Sequence, residues 1–426
     1  MTELHTPALP ADFLWGVATA GHQNEGQNTT SDTWTLEHTR PTIFREPSGA
    51  GCRAWEKWEE DLELVADMGL TAYRFSIEWA RIEPVEGEFS TAALDHYEAV
   101  VDGCRRRGLA PLVTFSHFTA PHWFAAKGAW LAVDAPTLFA RFCGVVADRI
   151  ADKITLAVTL NEPNLEQVLL AAGTIPPAFQ DRKREMLEAA ARDAGTATYR
   201  SANVILPEEQ EAFRDGFTAA HRAAKAALKA RRADLPVGFS IAISDEHALT
   251  GGEESRDARR ATVYDYWLHL AREDDFMGVQ NYERTVHGPD GPVAPGPDAV
   301  VNDMGSEVAP QSLAEAVAYA HEVAGVPILV SEHGMATGDD THRAAFIGPA
   351  LDALAAVAAG GVPVIGYCHW TLMDNFEWIF GYGMQLGLHE VDRETFERTP
   401  KASAGVYRDV VARYRAGAAS AAPVAG

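Results

Sequence analysis

Two rhythms of apolar residues alternate along this chain. Short runs rich in Val, Ile, Leu, Phe and Tyr are followed by longer stretches in which apolar residues recur every three or four positions. The first pattern suits strands and the second suits helices with one buried face. Eight strand candidates emerge, at residues 13–20, 72–79, 110–117, 154–160, 237–244, 276–282, 326–332 and 364–372. Amphipathic helices are predicted at 58–68, 94–107, 136–150, 312–323 and 344–359. Gly69 and Gly108 follow two of them and Gly360-Gly361 a third, which are good helix stops. Strand and helix alternating eight times predict a single (β/α)8 TIM barrel. The alternative, a doubly wound sheet, normally carries a Gly-rich phosphate turn after its first strand. Here that strand runs into Gly21-His22-Gln23-Asn24-Glu25-Gly26, which lacks the spacing.

Two connections are long. Residues 164–236 contain a charged helical stretch at 182–192, and residues 283–311 are rich in Gly and Pro. Both leave the carboxyl ends of strands, where barrel enzymes build their pockets. No repeat and no strong linker divides residues 1–426, so one domain is expected, with a small, Ala-rich, flexible tail at 416–426.

Composition narrows the class of ligand. The chain has 426 residues, 47% of them hydrophobic, with a formal net charge of −24. That field disfavours nucleic acid and anionic membranes and is indifferent to a neutral substrate. No apolar run is long enough to span a bilayer, and the start lacks a secretory pattern, so a cytoplasmic protein is expected. Cys52, Cys104, Cys143 and Cys368 form no Cys-x-x-Cys pair, and His22, His117 and His122 show no metal-ligand spacing. Neither a metal nor a cofactor is expected. A homo-oligomer stays open.

The candidate chemistry lies where strands end. The fourth ends Thr159-Leu160-Asn161-Glu162-Pro163 and the seventh Ser331-Glu332-His333-Gly334. The second carries Arg74, the third ends at His117 and the sixth at Tyr282. The eighth carries Trp370 and runs on to Asp374-Asn375-Phe376-Glu377-Trp378. In a barrel these groups share one rim. Two carboxyls facing each other across it are what glycoside hydrolysis requires, one protonating the leaving oxygen and the other attacking the anomeric carbon or activating a water. Arg74 and Tyr282 could keep one carboxylate ionised. A strand-end glutamate is equally at home in a salt bridge or a cap, and a strand-end tryptophan in the core, so the case rests on the combination.

These motifs resemble glycoside hydrolase family 1, the β-glucosidase and β-galactosidase family, over residues 13–403. The similarity is carried by Phe13-Leu14-Trp15-Gly16-Val17-Ala18-Thr19-Ala20 with Gln23 and Glu25-Gly26, by Tyr73-Arg74-Phe75-Ser76-Ile77, by Thr159-Leu160-Asn161-Glu162-Pro163, and by Asp374-Asn375-Phe376-Glu377-Trp378 with Gly381-Tyr382 and Pro400-Lys401. The resemblance implies a retaining β-glycosidase acting on small neutral β-glycosides, glucosides first. It implies Glu162 as acid/base, Glu332 as nucleophile, and Arg74 and Tyr282 holding Glu332. It implies Gln23, His117, Asn161 and Glu377 bonding the sugar, with Trp370 beneath it and Trp378 at its hydroxyls. Retention predicts the two carboxyls about 5 to 5.5 Å apart. Glu377 would repel a phosphorylated sugar. Departures from the family pattern are His333 for the usual asparagine, Gln280 ahead of Asn281-Tyr282, Thr119 for an aspartate, Ser306 for a tryptophan, and Gln385-Leu386 for a basic–aromatic pair. Packing is the expected role of His333. A transglycosidase on the same site, or a barrel that only binds sugar, remain the alternatives.

Overall fold

Each of the eight predicted runs forms a strand. A computed structural model describes residues 9–173 and 175–421. The strands are Leu14–Ala18, Ala72–Ser76, Ala110–Ser116, Leu156–Asn161, Val237–Ala242, Met277–Asn281, Ile328–His333 and Val364–Trp370. All pairings among them are parallel, each strand lies beside its neighbours in sequence, and the first closes on the eighth. Parallel strands need crossovers, and the helices supply them.

Side chains alternate across the barrel wall, as a period of two requires. Ala72, Leu112, Leu156, Val158, Phe276, Leu329 and Cys368 form one interior cluster drawn from six strands. Their chain neighbours Tyr73, Val113, Ala157, Met277 and Val330 face the helices in a second, larger cluster. Residues on both sides are almost wholly buried, and each large aliphatic side chain so placed contributes roughly 1.5–3 kcal/mol of transfer free energy. The predicted helices appear as Ala54–Asp67, Thr91–Arg106, Ala135–Ile150, Ser312–Ala324 and Asp340–Ala359. Gly69 and Gly108 sit just beyond two of them in the left-handed region, both at φ 70°, which glycine alone adopts without a Cβ penalty.

The long connections are more ordered than composition suggested. Residues after the fourth strand carry Leu165–Ala171, Pro177–Ala194 and a 22-residue helix, Gln210–Arg231. The Gly/Pro-rich segment forms Arg284–Gly288 and Gly291–Val293, which join Asp245–Ala248 in a small side sheet on the rim. The expected flexible tail at 416–426 falls partly within the described residues. The last helix, Ala402–Ala421, continues through residues 416–421 because Ala-rich sequence favours helix, and residues 422–426 lie outside the described residues. No described helix is long and apolar enough to cross a membrane, and all four cysteines are buried and unbridged.

Candidate active site

Strand alternation aims some of the candidate residues inward and sheet irregularities aim the rest. Arg74 lies two positions beyond Ala72, and Gln280 and Tyr282 continue the series that begins at Phe276. Simple alternation therefore delivers all three to the interior face. Glu332 does not obey that rule. Leu329 faces inward and Val330 outward, so unbroken alternation would send Glu332 out to the helices. A register shift lies between Val330 and Glu332 against the sixth strand. The fourth strand has a matching shift between Val158 and Asn161 against the fifth. There Leu160 joins the outer cluster and Asn161 turns inward. Each irregularity inserts one residue and re-aims the side chains beyond it.

Glu332 sits in a cradle of donors. Its Oε1 accepts from Arg74 Nη1 at 2.5 Å and its Oε2 from the Tyr282 hydroxyl at 2.5 Å. Arg74 is wholly buried, and each of its three nitrogens is directed. Nε reaches Thr114 Oγ1 at 3.1 Å, Nη1 also reaches the Ser331 carbonyl at 3.2 Å, and Nη2 reaches Asn161 Oδ1 at 2.6 Å. A buried arginine held so completely cannot swing away from its carboxylate. Beyond Glu332 the chain passes the main chain of Trp370 so closely that a Cβ on Gly334 would lie 2.2 Å from the Trp370 carbonyl oxygen, so only glycine fits.

Glu162 sits differently. Its carboxyl makes no side-chain hydrogen bond among the described residues, and Pro163 comes directly after it. Its backbone is left-handed, at φ 46°, a conformation that costs a non-glycine residue roughly 1–2 kcal/mol. The surroundings hold it there. Glu162 N donates to the Ser240 carbonyl at 2.8 Å. Asn164 clamps Ala242 through two bonds, Nδ2 donating to its carbonyl at 2.8 Å and Oδ1 accepting from its N–H at 3.1 Å. Leu165, Ala202, Ile205 and Phe217 border the same small cavity as Glu162. Burial raises both carboxyls above the ordinary glutamate range. For Glu332, the charge of Arg74 and the bonds from Tyr282 and Arg74 pull back down. For Glu162, the charges of Glu332 and Glu377 add to burial while Arg74 opposes them, and its carboxyl stays well above the ordinary range. As pH rises Glu332 therefore ionises first and Glu162 keeps its proton.

The remaining candidates line the same mouth. His117 and Trp370 stack with ring centroids 5.6 Å apart, and His117 also stacks on Trp378 at 6.3 Å. Burial, helped by Arg74, holds the His117 imidazole neutral. Gln23 Nε2 donates to the Phe376 carbonyl at 2.8 Å and to Asn375 Oδ1 at 3.4 Å, bringing Gln23 beside the segment of Glu377. Burial and the charge of Glu332 push Glu377 up to about 8. Among the described residues, Gln23 Oε1, Glu377 Oε1, Gln280 Oε1 and His117 Nδ1 are buried with no hydrogen-bond partner. Buried polar atoms nearly always find partners. Several orphans on one face match a ligand rich in hydroxyl groups, each able to donate and to accept.

The departures now have physical roles. His333 points away from Glu332, donating to or accepting from the Tyr367 hydroxyl at 2.9 Å and stacking on Phe346 at 4.7 Å. Burial lowers its pKa to about 3, so it packs as a neutral ring. Thr119 Oγ1 donates to the buried Glu78 at 2.6 Å, where an aspartate would set carboxylate against carboxylate. Ser306 closes a turn with Asn302 through its backbone. Leu386 packs in the interior cluster with Trp370. Gln280 joins the network around Arg74 and Asn161, as do Ser240 and Thr114, two residues not singled out from sequence although their inward parity on predicted strands was available to find them. Beneath Trp378, His22 stacks at 5.8 Å and pairs with Glu37 at 2.8 Å. Burial alone would lower its pKa, but Glu37, Glu78 and Asp32 outweigh that and raise it.

Known proteins resemble this chain over nearly its whole length. Residues 5–210 and 267–415 match the family described as glycosyl hydrolase family 1. A bifunctional β-D-glucosidase/β-D-fucosidase of Bifidobacterium breve is 28% identical over 96% of this chain and 100% of its own. Among solved structures, that of β-glycosidase BGL167 has 47% identity and a TM-score of 0.89, covering 98% of this chain and 100% of that one. That of β-glucosidase 1317 has 36% identity and a TM-score of 0.88, covering 94% and 98%.

Proposed function

The chain belongs to glycosyl hydrolase family 1, and from that premise we propose that it hydrolyses small neutral β-glycosides, β-glucosides first, by double displacement with net retention. Glu162 protonates the glycosidic oxygen as Glu332 attacks the anomeric carbon. The C–O bond to the aglycone breaks and a covalent glycosyl-enzyme forms. Glu162, now ionised, takes a proton from water, the water attacks the anomeric carbon, and Glu332 leaves as carboxylate.

The observation that carries this reading is the unequal surroundings of two buried carboxyls. One accepts two 2.5 Å bonds from a cation and a phenol, and the other has neither. Environments that push two titrating groups apart assign the acid and the base. Neutral His117, the amide of Asn161, and Gln23 and Glu377 bond the hydroxyls of the sugar in the cleaved subsite. Trp370 lies under its apolar face, and Trp378 meets its hydroxyls. Glu377, protonated at neutral pH, both donates to and accepts from hydroxyls. The Bifidobacterium relative, named as a glucosidase and fucosidase, supports the choice of glucosides to test first.

Purified protein is incubated with a panel of nitrophenyl β-glycosides beside a Glu332→Ala variant, and proton NMR tracks the anomer released first. Release of the β-anomer from a β-glucoside, abolished in the variant, is the expected outcome. Release of the α-anomer, or undiminished release by the variant, overturns the nucleophile assignment.

A further inference from the structure

Glu37, on the helix Asp32–His38, is 2% exposed and takes no part in the chemistry above. Both its oxygens are committed. Oε1 accepts from His22 Nε2 at 2.8 Å, and Oε2 accepts from Ser48 N at 2.9 Å and from Ser48 Oγ at 2.8 Å. Each partner leads to Trp378. The His22 ring lies nearly parallel to the indole, with 5° between planes and 5.8 Å between centroids. The Ser48 carbonyl accepts from the Tyr382 hydroxyl. Tyr382 follows the turn that carries Trp378, in which Glu377 N donates to the Gly381 carbonyl at 2.7 Å and Gly381 N to that of Trp378 at 3.0 Å. Trp378 needs such support, because its backbone is left-handed at φ 50°, a costly conformation for any residue but glycine. The turn has a second anchor in Glu46 Oε1, which accepts from Tyr382 N at 2.9 Å. Glu46 is exposed, so water competes for that bond, whereas Glu37 is sealed from it.

We propose that Glu37 is a positioning residue that fixes Trp378 against the sugar by two routes, the His22 ring beside the indole and the Ser48–Tyr382 link to its turn. The proposal rests on the reading above, in which Trp378 meets the hydroxyls of the sugar. Only a carboxylate serves both routes. A glutamine has one acceptor and one donor group there, so either His22 or Ser48 loses its acceptor. A neutral His22 gains nothing by moving its proton to Nδ1, which faces Asn28 Nδ2 at 3.3 Å. Asn28 is fixed with its nitrogen on that side, because the same nitrogen donates to Glu78 Oε2 at 2.8 Å. The consequence is selectivity. An indole free to shift weakens its bond to a particular hydroxyl and leaves the supports of Glu332, Arg74 and Tyr282, in place.

The experiment measures kcat/KM on the preferred nitrophenyl β-glycoside and on its monodeoxy analogues, one lacking each hydroxyl in turn. The proteins are the wild type, Trp378→Phe, Glu37→Gln and the double variant, with thermal melting as a control for folding. Dividing the value for the parent sugar by that for each analogue gives one ratio per hydroxyl. Phenylalanine keeps an aromatic ring and lacks the indole N–H. Trp378→Phe should therefore lower the ratio at the hydroxyl that Trp378 bonds by roughly three- to tenfold, the worth of one neutral hydrogen bond. Glu37→Gln should lower the ratio at that same hydroxyl by about threefold or more and leave the others unchanged. The double variant should fall no further than Trp378→Phe. If Glu37→Gln does not fold, His22→Phe and Tyr382→Phe cut the two routes one at a time, and each should lower that same ratio. Unchanged ratios in the variants that fold, with or without a uniform fall in kcat/KM, overturn the positioning role of Glu37 and leave the site reading intact. Ratios unchanged in Trp378→Phe overturn instead the reading that Trp378 meets the hydroxyls.

Discussion

Replacing Tyr282 by phenylalanine removes one oxygen from the site and leaves the ring. That oxygen donates to Glu332 Oε2 at 2.5 Å, and Arg74 bonds the other carboxylate oxygen. In Tyr282→Phe, Oε2 remains buried without a donor. Hydrogen bonds to charged groups are worth about 1.5–3 kcal/mol. At about 1.4 kcal/mol per pKa unit, that raises the pKa of Glu332 by about one to two units. Tyr282 stabilises the ionised carboxylate, so its loss favours the protonated form. Glu332 must be ionised to attack, so the acid limb of kcat/KM should move to higher pH by that amount. The alkaline limb reports proton loss from Glu162 and should stay in place, so the bell narrows from one side. The assay is the pH dependence of kcat/KM on an activated aryl glucoside, with thermal melting as a control for folding. An acid limb within about 0.3 unit of the wild type would mean that Tyr282 does not tune Glu332, since that shift is smaller than any charge-assisted bond.

Three further outcomes are expected. Arg74→Met strips a buried carboxylate of its cation and should cost about 3–5 kcal/mol in denaturant unfolding; adding Glu332→Gln should restore most of it, and a double variant no more stable than the single one would contradict the pairing. Glu162→Gln should melt higher than the wild type, and more so at pH 9 than at pH 5. Burial raises the pKa of Glu162 in the folded state, so the stability its proton brings is present at low pH and lost as pH rises through the folded value; an equal advantage at both pH values would refute this. His333→Leu should lower the melting temperature, because the Tyr367 hydroxyl loses its partner. Its pH–rate profile should match that of the wild type, whereas a displaced limb would show that the imidazole acts on Glu332.

Where the sequence was legible, one physical pattern dominated. All eight strands and five of the crossover helices were read within a few residues, because each buries a face at its own period and glycine marks several of the ends. The helix Gln210–Arg231 was equally readable, with Phe213, Phe217, Ala220, Ala224 and Leu228 buried at helical spacing, and the length of its connection hid it. The side sheet was not readable. Its strands have three to five residues each, too few for a period to show.

The sequence by itself determined the barrel, the rim on which the candidate residues stand, and the family resemblance those residues carry. It also determined the inward aim of Arg74, Gln280 and Tyr282, because an unbroken strand alternates. Only the tertiary structure decided the aim of Glu332 and Asn161. Counting in twos from Leu329 or Val158 sends both to the wrong side of the wall, and a register shift in each strand brings them back. The tertiary structure also made two chemically identical glutamates unequal. Arg74 and Tyr282 lie far from Glu332 in sequence and meet it only when the barrel closes, while the Glu162 carboxyl is left without a donor among the described residues. A pKa depends on which charges and donors surround a group in space, and that neighbourhood is a property of the closed sheet.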